Sequence, residues 1–252
     1  MESKKDGFEA LKVRFLFPPT SSLVTSDHCQ HGFKIGKFEL DGRWALPSVA
    51  RENLVLVDQF MAACHFISKL LLDCISDALG LKGDDRLEKH HRDDCRSKST
   101  LYFLHYPPGA QDPSNVGQNM HTDIGTLTIL HAPQWGLQVF SPEESVWKYV
   151  EPRPGHAVVN VGDTLRFLSG KRLRSALHRV LPQGRVQQED RYSISYFLRA
   201  SDSTEFQDSD GDPSSAKNWY LKKYEMYELP HGVQKQQTTL SGGMAQELQA
   251  TF

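Results

Sequence analysis

Five residues between positions 121 and 193 have the types that non-haem iron chemistry uses. They are His121 and Asp123 in HTDIGTLTIL, His178 in SALHRV, and Arg191 and Ser193 in RYSISYFLR. Two imidazoles and a carboxylate are the ligand set of a mononuclear Fe(II) centre. Such a set occupies one face of the metal and leaves room for a bidentate 2-oxo acid and for dioxygen. An arginine meets a carboxylate with two parallel hydrogen bonds, and a serine two residues on adds a third donor.

The spacing lets these residues converge. In an extended chain residues i and i+2 face the same side, so His121 and Asp123 point together, as do Arg191 and Ser193. His178 sits in another strand-like run, and an antiparallel return can bring it opposite the first pair. A second His-x-Asp pair, His91 and Asp93, lies in the charged segment GDDRLEKHHRDDCRSK with no apolar run after it. That segment reads as a surface connection and the pair as a solvated charge cluster. Any one of these histidines alone fits an ordinary strand histidine with a backbone partner. Arg191 alone fits a strand end paired with a surface acid. Only the ordered set points to an iron site.

The elements that must position the set follow from periodicity. Residues 1 to about 45 are polar and irregular, with one short strand expected near Phe33 to Leu40. A helix is expected over 48–79, started by Pro47 and Ser48 and ended by Gly80, with Phe60, Cys64, Ile67, Leu71, Cys74 and Ala78 at helical spacing. Unbroken, it would be about 48 Å long. From Thr100 the texture turns β-rich: TLYFLHY, TLTILH, LQVF, VWKYV, AVVNV, TLRFL, SALHRV and RYSISYFL, separated by Gly, Pro, Asn and Asp. That rhythm predicts antiparallel strands. The fold class is therefore mainly β with flanking helices: a double-stranded β-helix (jelly roll) whose mouth can hold a metal or ligand, with one long helix packed on the sheet. The expected divisions are an N-terminal segment over 1–99, a jelly-roll core over 100–200, and 201–252 as an acidic loop, a helix anchored by Trp219 and Tyr220, and a mobile tail. Asn160, Gly162 and Asp163 in NVGD, Gly136 and Pro154-Gly155 read as turn scaffold.

Composition excludes other classes. A formal net charge of -2 over 252 residues supplies no field for nucleic acid or anionic membrane. No apolar run reads as membrane-spanning, and MESKKDGFEALKVRF lacks the apolar centre of a signal peptide. The end, LQATF, is not a peroxisomal or lipidation signal. Cys29, Cys64, Cys74 and Cys95 form no CxxC pair, which fits reduced thiols in the cytoplasm better than a disulfide framework or a zinc site. The expected partner is a small molecule, and the expected state a monomer or weak homo-oligomer.

From about Thr100 to Leu198 the chain resembles the isopenicillin N synthase-like group of Fe(II)/2-oxoglutarate-dependent dioxygenases, which includes fungal secondary-metabolite and plant flavonoid-type oxygenases. LHYPPG, HTDIGTLTILHAPQWGLQVF, VWKYVEPRPGHAVVNVGDTLRFLSGKRLRSALHRV and RYSISYFLR carry the resemblance. The helix after Ser48 and NWYLKKYEMYEL are similar less specifically. The resemblance implies that His121, Asp123 and His178 bind Fe(II). It also implies that Arg191 and Ser193 bind the distal carboxylate of 2-oxoglutarate, with Tyr106 beside it. Plant members carry an asparagine two residues before that tyrosine; here it is Leu104. Against the family the chain reads as short at its N-terminus, which implies a barrel edge exposed near the site.

The implied activity is hydroxylation, desaturation or another oxidation of a small organic molecule in secondary metabolism, consuming dioxygen and 2-oxoglutarate and releasing succinate and CO2. The Asp123 carboxylate argues against halogenation, because related halogenases have a small residue there. Two alternatives share the fold: an Fe(II) oxidase that uses no 2-oxoglutarate, its Arg-x-Ser pair holding a substrate carboxylate, and a truncated non-catalytic jelly-roll protein.

Overall fold

A computed structural model of the chain describes residues 23–26, 30–37, 48–110, 118–184, 186–227, 229, 231–234 and 236–249. Its strands are β1 (Leu23–Ser26), β2 (Gln30–Gly36), β3 (Thr100–Tyr106), β4 (Gly109–Ala110), β5 (Gln118–His121), β6 (Leu127–His131), β7 (Leu137–Ser141), β8 (Val146–Tyr149), β9 (Val158–Val161), β10 (His178–Val180), β11 (Val186–Gln187), β12 (Arg191–Leu198), β13 (Glu205–Gln207) and β14 (Pro213–Ser215). Of the four sheets among the described residues, the two largest have the orders β1-β2-β3-β12-β6-β9 and β5-β10-β7-β8. They form the expected jelly roll. Alternation along β12 explains why two faces of one sheet differ. Ile194, Tyr196 and Leu198 share a face with Ile35, Leu101, Leu127 and Ile129 in the main apolar core. Arg191, Ser193, Ser195 and Phe197 look the other way. On that inner face Tyr102, Leu104, Tyr106 and Phe197 meet Val180 of the opposite sheet.

The long helix covers the outer face, but not as the periodicity predicts. It breaks at Asn53 into α1 (Ser48–Glu52) and α2 (Leu54–Ala78). The buried stripe of α2 is Val57, Met61, Cys64, Ser68, Leu72 and Ser76. Of the six expected positions only Cys64 is buried; Phe60 and Leu71 flank the core, Ile67 is 46% exposed and Cys74 is exposed. Two serines can take inward places because their hydroxyls are satisfied locally. Ser68 donates to the Cys64 carbonyl at 2.7 Å. Ser76 donates to Glu88 at 2.8 Å and accepts from the Leu87 amide at 2.9 Å. By length and composition α2 could cross a bilayer, contrary to the sequence expectation; its inner stripe packs on the sheet core.

Four further expectations change. The first long strand starts at Gln30 and ends at Gly36, earlier than predicted; residues 38–40 lie outside the described set. TLRFL is helical, α3 (Asp163–Leu168), not a strand. Just before it Gly162 lies against Gly125, where a Cβ would clash with the Gly125 carbonyl. The acidic stretch after Ala200 forms the β13–β14 hairpin, with Phe206 against Phe167. Beyond α4 (Ala216–Tyr227) and α5 (His231–Gln234), the segment expected to be mobile forms a 3-10 turn over Thr238–Ser241 and α6 (Met244–Gln249). Leu240, Met244 and Leu248 are buried there, the last two against Leu177. Three apolar residues spaced by four are hidden in a Gln-, Gly- and Thr-rich composition. Cys64, Cys74 and Cys95 are free thiols; Cys29 lies outside the described residues.

Candidate metal centre and oxo-acid pocket

The register brings the predicted ligands together. His121 ends β5 and pairs across the smaller sheet with His178 of β10. Asp123 follows two residues later, so its Oδ1 lies 3.9 Å from His121 Nε2 and 3.7 Å from His178 Nε2. One ligand atom from each residue lies within 4.8 Å of the others.

Each ligand's remaining polar atom is tied to the protein. His121 Nδ1 donates to the Asn119 carbonyl at 2.7 Å, and His178 Nδ1 donates to the Ala176 carbonyl at 2.9 Å. Those bonds put the proton on Nδ1 and leave the Nε2 lone pair for a metal. Asp123 Oδ2 accepts from Thr128 Oγ1 at 2.6 Å and Asn160 Nδ2 at 2.7 Å, leaving Oδ1 on the ligand side. Burial, then the neighbouring His178, pushes the His121 imidazole below its ordinary pKa, toward the neutral form that ligates. Burial resists ionisation of Asp123, yet His178, His121, Asn160 and Thr128 hold it below the usual carboxylate range. The donor set, tautomers and charge all suit Fe(II).

The ligand segment is braced from behind by a pair that sequence reading missed. Lys223 and Asp163 are both fully buried and bond at 2.6 Å. Lys223 Nζ also donates to the Thr122 carbonyl and hydroxyl, each at 2.7 Å. The Asp163 amide donates to the Asp123 carbonyl at 2.8 Å, and the Thr122 amide to the Leu240 carbonyl at 3.0 Å. The tail thus clamps the residue between His121 and Asp123. In the structure Ala216, Trp219, Tyr220 and Lys223 form one buried helical stripe, and a lysine on such a stripe requires a partner. Asn160 reads from its neighbours as turn scaffold, but its amide holds a ligand.

The rival pair separates. His91 is buried, not solvated, and both nitrogens are engaged, with the Leu87 carbonyl at 2.9 Å and the Thr126 hydroxyl at 2.7 Å. Asp93 stays outside, bonded to Lys37, His65 and Lys69.

Arg191, Ser193 and Tyr106 are buried on the inner face, with Arg191 directly opposite Tyr106 and Ser193 opposite Leu104. The guanidinium carbon lies 5.0 Å from the Tyr106 ring centre. Arg191 Nε donates to the Trp135 carbonyl at 2.9 Å. Gly136 makes this seat possible: its φ is +132°, and a Cβ there would meet Arg191 Nε at 2.9 Å. Although the two groups adjoin, Arg191 Nη1 and the Tyr106 hydroxyl are buried without a well-formed hydrogen bond among the described residues. Burial lowers the pKa of Arg191 and raises that of Tyr106. An enclosed cation and hydroxyl with unused donors fit a carboxylate.

The sequence pattern of the 2OG-Fe(II) oxygenase superfamily matches residues 97–200. The chain is 73% identical over 252 residues to the 2-oxoglutarate-dependent dioxygenase FG08081 of Gibberella zeae, covering all of this chain and 69% of that protein. It is 52% identical over 206 residues to the 2-oxoglutarate-dependent dioxygenase iboH of Amanita muscaria, covering 81% of this chain and all of that protein. Among solved structures, a full-length Neurospora crassa protein in complex with alpha-KG superimposes with a TM-score of 0.69 at 20% identity, over 89% of this chain and 78% of that one; this likeness shows the fold. The chain belongs to the 2OG-Fe(II) oxygenase superfamily, as an Fe(II)- and 2-oxoglutarate-dependent dioxygenase.

Proposed function

We propose that this dioxygenase oxidises a small organic molecule of secondary metabolism in the cytoplasm, with His121, Asp123 and His178 as the iron ligands and Arg191, Ser193 and Tyr106 as the 2-oxoglutarate clamp. The observation that carries the ligand assignment is the convergence of two Nε2 atoms and one carboxylate oxygen, each with its other polar atom already bonded. Bound iron would couple oxidative decarboxylation of 2-oxoglutarate to oxidation of the substrate, releasing succinate and CO2.

The protein's own part is positional. The Asn119 and Ala176 carbonyls orient the two imidazoles. Thr128 and Asn160 turn one oxygen of Asp123 away from the ligand side. Arg191 and Tyr106 hold the cosubstrate's far carboxylate in a buried part of the barrel, where charge-assisted bonds are strongest.

The test is succinate release. Purified protein with Fe(II), 2-oxoglutarate and a panel of small metabolites should form succinate in proportion to product. Product formation that needs dioxygen but consumes no 2-oxoglutarate would sink the clamp assignment.

A further inference from the structure

The inner face of β12 does not end at the oxo-acid clamp. Every second residue continues it, from Arg191 and Ser193 through Ser195 and Phe197 to Arg199. Lys34 of β2 stands on the same face, because it pairs with Tyr102, and Tyr102 pairs with Ser195. There two cations and four rings close into a belt. Lys34 Nζ lies 4.7 Å from the Tyr102 ring centre and 5.0 Å from that of Tyr224. Arg199 Cζ lies 5.1 Å from the ring centres of both Phe197 and Tyr220. Tyr102 meets Phe197 at 6.4 Å, and Tyr220 stacks on Tyr224 at 5.5 Å.

The belt adjoins the metal ligands. One turn along α4 from Tyr224, the Tyr227 ring is 5.9 Å from the His121 ring. Phe197 is paired with Thr128, which donates to Asp123. Lys34, Phe197, Arg199, Tyr224 and Tyr227 are half-buried.

The charges are what the scaffold leaves unanswered. Arg199 donates to the Lys98 carbonyl, but its Nε is buried without a partner among the described residues. Lys34 has ring faces on two sides and, among the described residues, no ion pair or hydrogen bond. Burial, then repulsion from Arg199, pulls the Lys34 amine down to about 7. Ring faces offset part of the cost of two enclosed like charges, yet they accept none of the ammonium's three donors in line. An anion between them would answer both.

We infer that the substrate is a small carboxylic acid, and that Lys34 and Arg199 receive its carboxylate while Tyr102, Phe197 and Tyr224 enclose its carbon skeleton beside the metal ligands. This rests on the dioxygenase site proposed above. It places two carboxylate subsites on one sheet face: the cosubstrate's at Arg191 and the substrate's at Arg199.

The test uses the full chain, anaerobic, with Fe(II) and 2-oxoglutarate. Phenylacetate, phenylpropanoate and a series of alkyl carboxylates are each titrated beside their methyl esters, following perturbation of the iron–2-oxoglutarate absorption band. At least one acid should bind about tenfold or more tightly than its ester, the size of a charge-assisted hydrogen bond. Lys34→Met should abolish that preference by weakening the acid and not the ester, and Lys34→Arg should retain it. A purely structural role for Lys34 would weaken acid and ester alike. If no acid binds better than its ester, or folded Lys34→Met keeps the preference, the inference is overturned while the iron site stands. If wild type shows no band at all, the iron–oxo-acid reading fails and takes the inference with it. Should Lys34→Met not fold, the wild-type acid–ester comparison decides alone.

Discussion

The candidate metal centre and the proposed oxo-acid clamp lie on the same barrel but are built in opposite ways. At the metal centre every ligand has its second polar atom bonded: His121 and His178 to carbonyls, Asp123 to Thr128 and Asn160. In the pocket, one bond from Arg191 to Trp135 fixes the guanidinium, while Nη1 and the Tyr106 hydroxyl are left without a well-formed bond. A resident ion needs ligands held in one geometry before it arrives. A cosubstrate that is consumed and replaced needs donors not already used by the protein. Pre-organisation at one site and unused donors at the other are two answers to two residence times.

Substitutions can break this contrast. The largest effect is expected at the brace behind the ligands. Lys223→Met leaves Asp163 charged and buried, which should destabilise the fold by about 3–5 kcal/mol; thermal or denaturant unfolding of the iron-free protein measures it. Next, Arg191→Ala should weaken 2-oxoglutarate binding by about 2–5 kcal/mol and leave iron affinity where it was, read by separate titrations of metal and cosubstrate. Asn160→Ala should do the reverse, reducing iron affinity about 10- to 100-fold with little change at the oxo-acid clamp. If Arg191→Ala and Asn160→Ala each shift both affinities equally, the two sites are not built independently. The smallest effect sharpens the idea. Tyr106→Phe removes a buried hydroxyl that has no well-formed bond, so it should stabilise the cosubstrate-free protein by up to about 1 kcal/mol. It should also weaken 2-oxoglutarate binding by a similar amount, seen as a higher unfolding temperature alone and a smaller rise on adding 2-oxoglutarate.

Most core strands and the convergence of the candidate residues are legible because period-two alternation carries both. His121 with Asp123, and Arg191 with Ser193, need only that rule to share a face, and the β10–β5 pairing of His178 with His121 completes the set. What is illegible is polarity turned inward. Ser68 and Ser76 on α2 and Lys223 on α4 are buried, and a hydropathy pattern counts each as an outside residue. His91 misleads in the same way, since charged neighbours conceal its bond to Thr126, in the bend just before β6. Leu240, Met244 and Leu248 are too sparse in their polar surroundings to signal a packed tail. Ser68 needs only the Cys64 carbonyl one turn back; for Lys223, His91 and the tail the missing information is a partner far away in sequence.

On the proposed reading, the barrel holds Fe(II) and 2-oxoglutarate at two separately built places. Anaerobic addition of Fe(II) and then 2-oxoglutarate to the purified protein tests it directly, through the weak visible charge-transfer absorption of the chelate. Wild type should develop the band, Asp123→Ala should not, and Arg191→Ala should require far more 2-oxoglutarate to reach it. A well-folded wild type without the band, or Arg191→Ala titrating like wild type, would mean that these residues do not hold the metal and cosubstrate.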